Sequence, residues 1–128
     1  MKRLVEFEVE GGGHGWMSLR YRADRPFEVV ARFPGTVTGT GTPAVWCFAR
    51  DLLREGLFRP TGLGDVRVRP QGPVTVIELH GCEGRAHLWI ATSVLAEFVR
   101  ASAVLVPFGE EGRVADWDAG LAQLLQPE

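Results

Sequence analysis

Three side chains that could bind a metal lie around one short turn of the sequence. His80, Cys82 and His87 fall between two stretches in which apolar and polar residues alternate. Structural zinc needs four ligands and prefers paired ligand spacing, and the alternation places Cys82 in the turn and His87 on one strand face. The sequence therefore predicts no metal site here.

Two other places invite a search for chemistry. Cys47 lies in the apolar run Val45–Phe48, which predicts a buried free thiol rather than a nucleophile. The glycine run Gly11–Gly15 looks like a phosphate cradle, but such loops precede a helix, and here a strand pattern follows. With no nucleophile elbow and no paired-carboxylate motif, no catalytic or cofactor-binding residue is predicted.

Arginines and aromatic residues mix in the middle of the chain. This combination could follow a single-stranded nucleic-acid backbone and stack its bases. Carboxylates lie among the arginines and the formal net charge is −2, which favours local ion pairs on a solvated face. Single-stranded nucleic-acid binding is kept as the alternative function. The residues are Arg50, Arg54, Arg59, Arg67 and Arg69, with Trp46 and Phe58 beside them.

The elements that must position these side chains follow from periodicity. Short alternating stretches such as Val5–Val9 predict seven antiparallel strands, of which the fourth, over residues 44–48, is almost fully apolar. A helix is predicted over 49–57, ended by Gly56 in the left-handed conformation, and two more over 93–102 and from Asp116. The predicted fold is α+β, with two near-orthogonal sheets or a split barrel whose open ends the helices cover.

Length and composition set the remaining bounds. A chain of 128 residues with 45% apolar residues predicts one globular domain over residues 1–128. Two cysteines are too few for a disulfide scaffold and predict a reducing compartment, the cytoplasm. No continuous apolar run of about twenty residues occurs, so neither a signal peptide nor a membrane span is predicted.

One stretch carries a resemblance to a known family. Residues 45–70 read VWCFARDLLREGLFRPTGLGDVRVRP. They resemble the W-x-F-A-R-D-L-L, E-G-L, R-P-T-G and G-D-V-x-V motifs of the SsgA-like proteins of sporulating actinomycetes, most closely the SsgB branch. Those motifs fall on Trp46, Phe48–Leu53, Glu55–Leu57, Arg59–Gly62 and Gly64–Val68.

The resemblance implies a cytoplasmic regulator without enzymatic activity. Members of the family control sporulation-specific septation, and the SsgB branch helps to place the tubulin-like protein FtsZ at septa. The resemblance also implies a homotrimer, contacts with other SsgA-like division proteins, and association with division septa. The fold that it implies is similar to those of the Whirly single-stranded-DNA-binding proteins and the mitochondrial guide-RNA-binding proteins.

The motif residues divide into two groups. Packing, backbone angles and turns account for the first group, whereas core packing does not explain the charged second group, which we take as candidate partner or subunit contacts. For Arg50 and Asp51 a structural role at the helix start stays open. The first group is Trp46, Phe48, Leu52, Leu53, Gly56, Leu57, Pro60, Gly62, Gly64, Asp65, Val66 and Val68. The second is Arg50, Asp51, Arg59, Arg67 and Arg69.

Overall fold

A computed structural model describes residues 1–38, 41–81 and 84–113. Cys82 and the helix predicted from Asp116 lie outside the described residues. The strands are β1 (Lys2–Val9), β2 (His14–Arg20), β3 (Glu28–Phe33), β4 (Ala44–Ala49), β5 (Val66–Gln71), β6 (Val74–Gly81) and β7 (Gly84–Ala91). The helices are α1 (Gly35–Thr38), α2 (Arg50–Gly56) and α3 (Thr92–Leu105).

The described strands form one antiparallel sheet in the order β4-β3-β2-β1-β7-β6-β5. The α+β class and the seven antiparallel strands are confirmed, but the strands are joined into one sheet rather than divided into two. Across the centre, between β1 and β7, the described residues pair at Glu8–Trp89 and Val9–Leu88, and the Glu10 N–H donates to the His87 carbonyl oxygen at 3.1 Å. Strands 1–4 and strands 5–7 are therefore two antiparallel sets that a short ladder connects.

The sheet is curled, as a half-barrel. A Cβ atom added at Gly81, at the end of β6, would lie 3.6 Å from the Trp46 ring of β4, although four strands separate β4 from β6 in the sheet. The inner face carries the core residues of the alternating strands, for example Val5 and Phe7 of β1 and Met17 and Leu19 of β2. The period-two pattern of these strands is thus confirmed, because one face meets the core and the other meets water.

Helix α3 supplies its apolar face to the same core. Leu95 and Phe98 are fully buried and Val99 nearly so, as the helical spacing of these residues predicts. None of the helices in the described part of the chain is long and apolar enough to cross a bilayer.

Strand β4 corrects one prediction. It lies at an edge of the sheet and buries one face only: Phe48 is buried, whereas Val45, Cys47 and Ala49 are exposed. Cys47 is an exposed free thiol and not a core residue. A short apolar run cannot distinguish a central strand from an edge strand, because both can be rich in apolar residues.

The glycine predictions are also corrected in part. Gly56 has no positive φ; it belongs to α2, where an added Cβ would lie 2.3 Å from Val68 Cγ1, so its role is the close approach of α2 to β5. Gly62 has a φ of 108° and is a turn glycine, as predicted. Gly64 has neither a positive φ nor an atom within 4 Å of an added Cβ, so nothing in the structure requires glycine there.

Candidate partner-binding surface

Arg50 lies inside the protein, because α2 begins directly after β4 and its first residue points towards α3. Its side chain is 1% exposed and its Nη2 donates to Glu111 Oε1 at 2.5 Å. Nη1 donates to the Val106 carbonyl oxygen at 2.7 Å, and the guanidinium lies between the rings of Tyr21 and Phe108. Arg50 is therefore not available to a partner, and its place among the candidate contacts is a wrong prediction.

Glu111 is the residue that neutralises Arg50. Burial alone would raise the pKa of this carboxyl group, but hydrogen bonds outweigh burial. The backbone of Glu111, the Arg50 guanidinium and the Gly109 amide all donate to it, and the last of these lies 2.9 Å from Oε2. The pKa of Glu111 is consequently below its usual range, and the pair carries opposite charges at neutral pH.

The other four candidates lie at the surface. Asp51, Arg59 and Arg67 are exposed and Arg69 is half-buried. Arg59 Nε donates to Glu55 Oε2 at 3.0 Å, and Arg69 Nε donates to Glu78 Oε1 at 3.4 Å. Arg67 differs from these two arginines: its Nε donates to the Gly64 carbonyl oxygen at 3.4 Å, and no carboxylate of the described residues pairs with it.

This placement divides the basic cluster that suggested nucleic-acid binding. Arg50 is buried, and Arg54 lies 4.2 Å from the ring centroid of Phe108. Arg59 and Arg69 each face a carboxylate. The five arginines therefore do not form one continuous basic stripe, which a single-stranded backbone would follow.

His80 and His87, the two histidines considered above as metal ligands, both lie within 4 Å of the Glu78 carboxylate on the outer side of the sheet. His80 Nε2 lies 3.4 Å from Glu78 Oε2, and His87 Nδ1 lies 2.5 Å from Glu10 Oε2. Burial would raise the pKa of Glu78, but hydrogen bonds from His80 and Arg69 and the charge of His87 lower it. Within the described residues no group of three or more histidine, cysteine or carboxylate side chains could hold a metal ion.

Sequence reasoning named Phe58 only as a neighbour of the basic cluster and did not identify Leu63. Both residues lie on the loop that joins α2 to β5, residues 57–65, which we call the α2–β5 loop. Phe58 is 80% exposed and Leu63 is 96% exposed. Neither residue belongs to a periodic pattern, so no buried or exposed face can be read for it. The available signal was an apolar residue placed between two glycines, Gly62 and Gly64, where packing gives no reason for it.

The comparisons with known proteins agree with the resemblance of residues 45–70. The family described as "Streptomyces sporulation and cell division protein, SsgA" matches residues 16–111. The sporulation-specific cell division protein SsgB of Streptomyces coelicolor is 44% identical over 112 residues, which cover 84% of this chain and 79% of that protein. SsgB of Kineococcus radiotolerans is 40% identical over 114 residues, covering 84% and 67%.

Two solved structures share the fold. The crystal structure of an SsgA-like sporulation-specific cell division protein from Thermobifida fusca superimposes with a TM-score of 0.83 at 32% identity, covering 98% of this chain and 95% of that one. A structure concerned with SsgB mutations that correlate to longitudinal cell division during sporulation of Streptomyces coelicolor gives a TM-score of 0.80 at 36% identity, covering 88% and 93%. The curled seven-stranded sheet is thus shared with relatives of related sequence.

Proposed function

The chain belongs to the SsgA family of sporulation and cell division proteins, and on that premise we propose that it is a non-enzymatic adaptor that helps to position FtsZ at sporulation septa. Its relatives are sporulation-specific cell division proteins. The adaptor acts in the cytoplasm, associates with division septa, and contacts other SsgA-like division proteins. Residues 1–128 form one SsgA-like domain in this proposal.

The observation that carries the proposal is the placement of the family-motif residues. Phe48, Leu53 and Val68 lie in the core, whereas Arg59 on the α2–β5 loop and Arg67 on the adjoining strand β5 stay at the surface. The motif thus builds a packed scaffold and leaves charged side chains in solvent next to it. Arginine is one of the residue types enriched at the hot spots of protein interfaces, so these two exposed side chains support a docking role.

The character of the cleft at one end of the curled sheet supports an adaptor over an enzyme. This cleft has a volume of about 800 Å³, and Phe7, Phe33, Trp46 and Leu88 are among its lining residues. Its described lining includes no carboxylate, histidine or cysteine. General acid–base or nucleophilic catalysis needs such groups in mutual contact, and the described part of the lining contains none of them.

In this proposal the protein is a homotrimer, so that each particle presents three copies of the surface. A polymer of FtsZ offers many identical binding sites in a row. Linked copies convert weak single contacts into stable recruitment, because the second and third contacts form at a high effective concentration.

Light scattering combined with co-sedimentation tests the proposal. We expect a trimeric mass, and we expect the protein to pellet with FtsZ polymers assembled with GTP but to stay in solution without them. A monomeric protein that never pellets with the polymers contradicts the proposal.

One observation favours the alternative function, a single-stranded nucleic-acid-binding module of Whirly-like fold. The exposed ring of Phe58, beside Arg59, could stack on a base. Fluorescence anisotropy with a labelled oligonucleotide at two salt concentrations tests this alternative. Binding that weakens steeply with salt supports it, and no binding at low salt removes it.

A further inference from the structure

The α2–β5 loop presents two large apolar side chains almost fully to solvent. Leu63, at 96% exposure, is the most exposed large apolar side chain in the described part of the chain, and Phe58 on the same loop is 80% exposed. A single exposed apolar residue is ordinary on a protein surface. Two on one short loop need a reason, and burial against another molecule supplies one.

Backbone hydrogen bonds hold this loop in place. Thr61 donates its N–H to the Val68 carbonyl oxygen at 2.8 Å and accepts the Val68 N–H at 2.9 Å, which fastens the middle of the loop to β5. The N–H groups of Phe58 and Arg59 both donate to the Glu55 carbonyl oxygen, at 3.0 and 3.1 Å. A loop that is already ordered loses less entropy on binding than a flexible one.

A cation lies next to the apolar tip. Arg67 donates to the carbonyl oxygen of Gly64, the residue after Leu63, so its guanidinium is held against the loop. Among the described residues no carboxylate pairs with Arg67. The loop therefore presents an apolar side chain and an unpaired positive charge side by side.

We propose that the α2–β5 loop docks on a folded partner protein, with Leu63 and Phe58 entering an apolar pocket and Arg67 pairing with a carboxylate at its rim. The inference rests on the proposed function, in which that partner is FtsZ. A membrane surface is the weaker alternative. Residues 55–69 carry three arginines against Glu55 and Asp65, whereas anionic bilayers attract segments with several unopposed basic residues.

Co-sedimentation of loop variants with FtsZ polymers tests the proposal. Leu63→Ser removes the most exposed apolar group, Arg67→Glu reverses the charge, and Val104→Ser is the matched control because Val104 is 83% exposed on α3. We expect Leu63→Ser and Arg67→Glu to bind at least about tenfold more weakly, as hot-spot residues do, and Val104→Ser to bind as the unmodified protein does. The thermal unfolding midpoint of each variant, expected to be unchanged, confirms folding.

Any one of three results would contradict the proposal that the α2–β5 loop docks on a partner protein. Leu63→Ser could bind the polymers as tightly as the unmodified protein does. The unmodified protein could float with vesicles containing anionic lipid while Leu63→Ser does not, which would assign the loop to a bilayer. Leu63→Ser could also show a smaller oligomeric mass by light scattering, which would make the loop a subunit contact.

A further readout separates this proposal from the proposed function. If the unmodified protein does not pellet with FtsZ polymers, the proposed function fails. The position of fluorescently tagged variants in sporulating cells then tests whether the α2–β5 loop is a docking site. Loss of the septal position in Leu63→Ser but not in Val104→Ser supports docking on a different division protein. If both variants keep the septal position, the proposal that the α2–β5 loop is a docking site is wrong.

Discussion

Arg50 and Glu111 meet inside the protein, with Nη2 and Oε1 2.5 Å apart, although the two residues are 61 positions apart in the sequence. Their contact ties the first residue of α2 to the segment that follows α3. Removing one member of such a pair leaves the other charge buried without compensation, which is more damaging than the pair itself is stabilising.

Glu111→Gln is therefore expected to destabilise the protein by about 3–5 kcal/mol, the range seen when one partner of a buried pair is lost. Urea unfolding followed by tryptophan fluorescence measures the change. Glu110→Gln is the matched control, because Glu110 faces Arg113 in an exposed pair at 3.0 Å. Exposed pairs contribute about 0–1 kcal/mol. Equal losses in the two variants would contradict the structure.

The stability of the protein is expected to fall at acid pH, with Glu111 and Glu78 responsible for part of the fall. The pKa of each carboxyl group is lowered in the folded state, so the folded protein binds fewer protons than the unfolded chain. Their contribution is fully present above the unfolded carboxyl pKa of about 4.3 and is lost as the pH falls through the folded value.

Unfolding free energies measured from pH 7 to pH 3 check this dependence. In Glu111→Gln the unfolding free energy should fall less steeply with decreasing pH below about pH 5 than in the unmodified protein, because one carboxyl group whose pKa changes on folding is gone. An identical slope in both proteins would show that Glu111 does not titrate differently on folding.

The packing of α2 on β5 gives a prediction about two glycines. Gly56→Ala should destabilise the protein by about 1–3 kcal/mol, because the new methyl group would lie within 2.4 Å of Val68 Cβ and the interior must shift. Gly64→Ala is the control: its surroundings are open and its φ is not positive, so a stabilisation of about 0.4–1 kcal/mol is expected. Thermal unfolding of both variants measures the contrast. Similar effects of the two substitutions would disagree with the close approach at Gly56.

The features predicted correctly from the sequence are those that local periodicity determines, above all which side chains of a strand face the core. Val5 and Phe7 of the alternating stretch Val5–Val9 were placed correctly, because one face of their strand meets the core. The burial of Arg50 was not predictable, since its partner Glu111 is distant in sequence and no local pattern marks a buried cation. The candidate surface was found only in part, because Arg59 and Arg67 belong to motifs and Phe58 adjoins the basic cluster, whereas Leu63 is identified by its exposure alone.

Cys47, which the sequence placed in the core, lies exposed on the outer side of the edge strand β4. A disulfide reagent such as dithiobis-nitrobenzoate should modify Cys47 in the folded protein without denaturant, and Cys47→Ser should lack one rapidly reacting thiol. The same substitution should change the unfolding free energy by no more than about 0.5 kcal/mol, as is usual at the surface. A buried thiol would react only as fast as the protein unfolds, and its replacement by a hydroxyl group would be destabilising, because burying a hydroxyl without a hydrogen-bond partner is unfavourable. Slow modification together with a clear loss of stability would therefore show that the outer face of β4 is covered in solution.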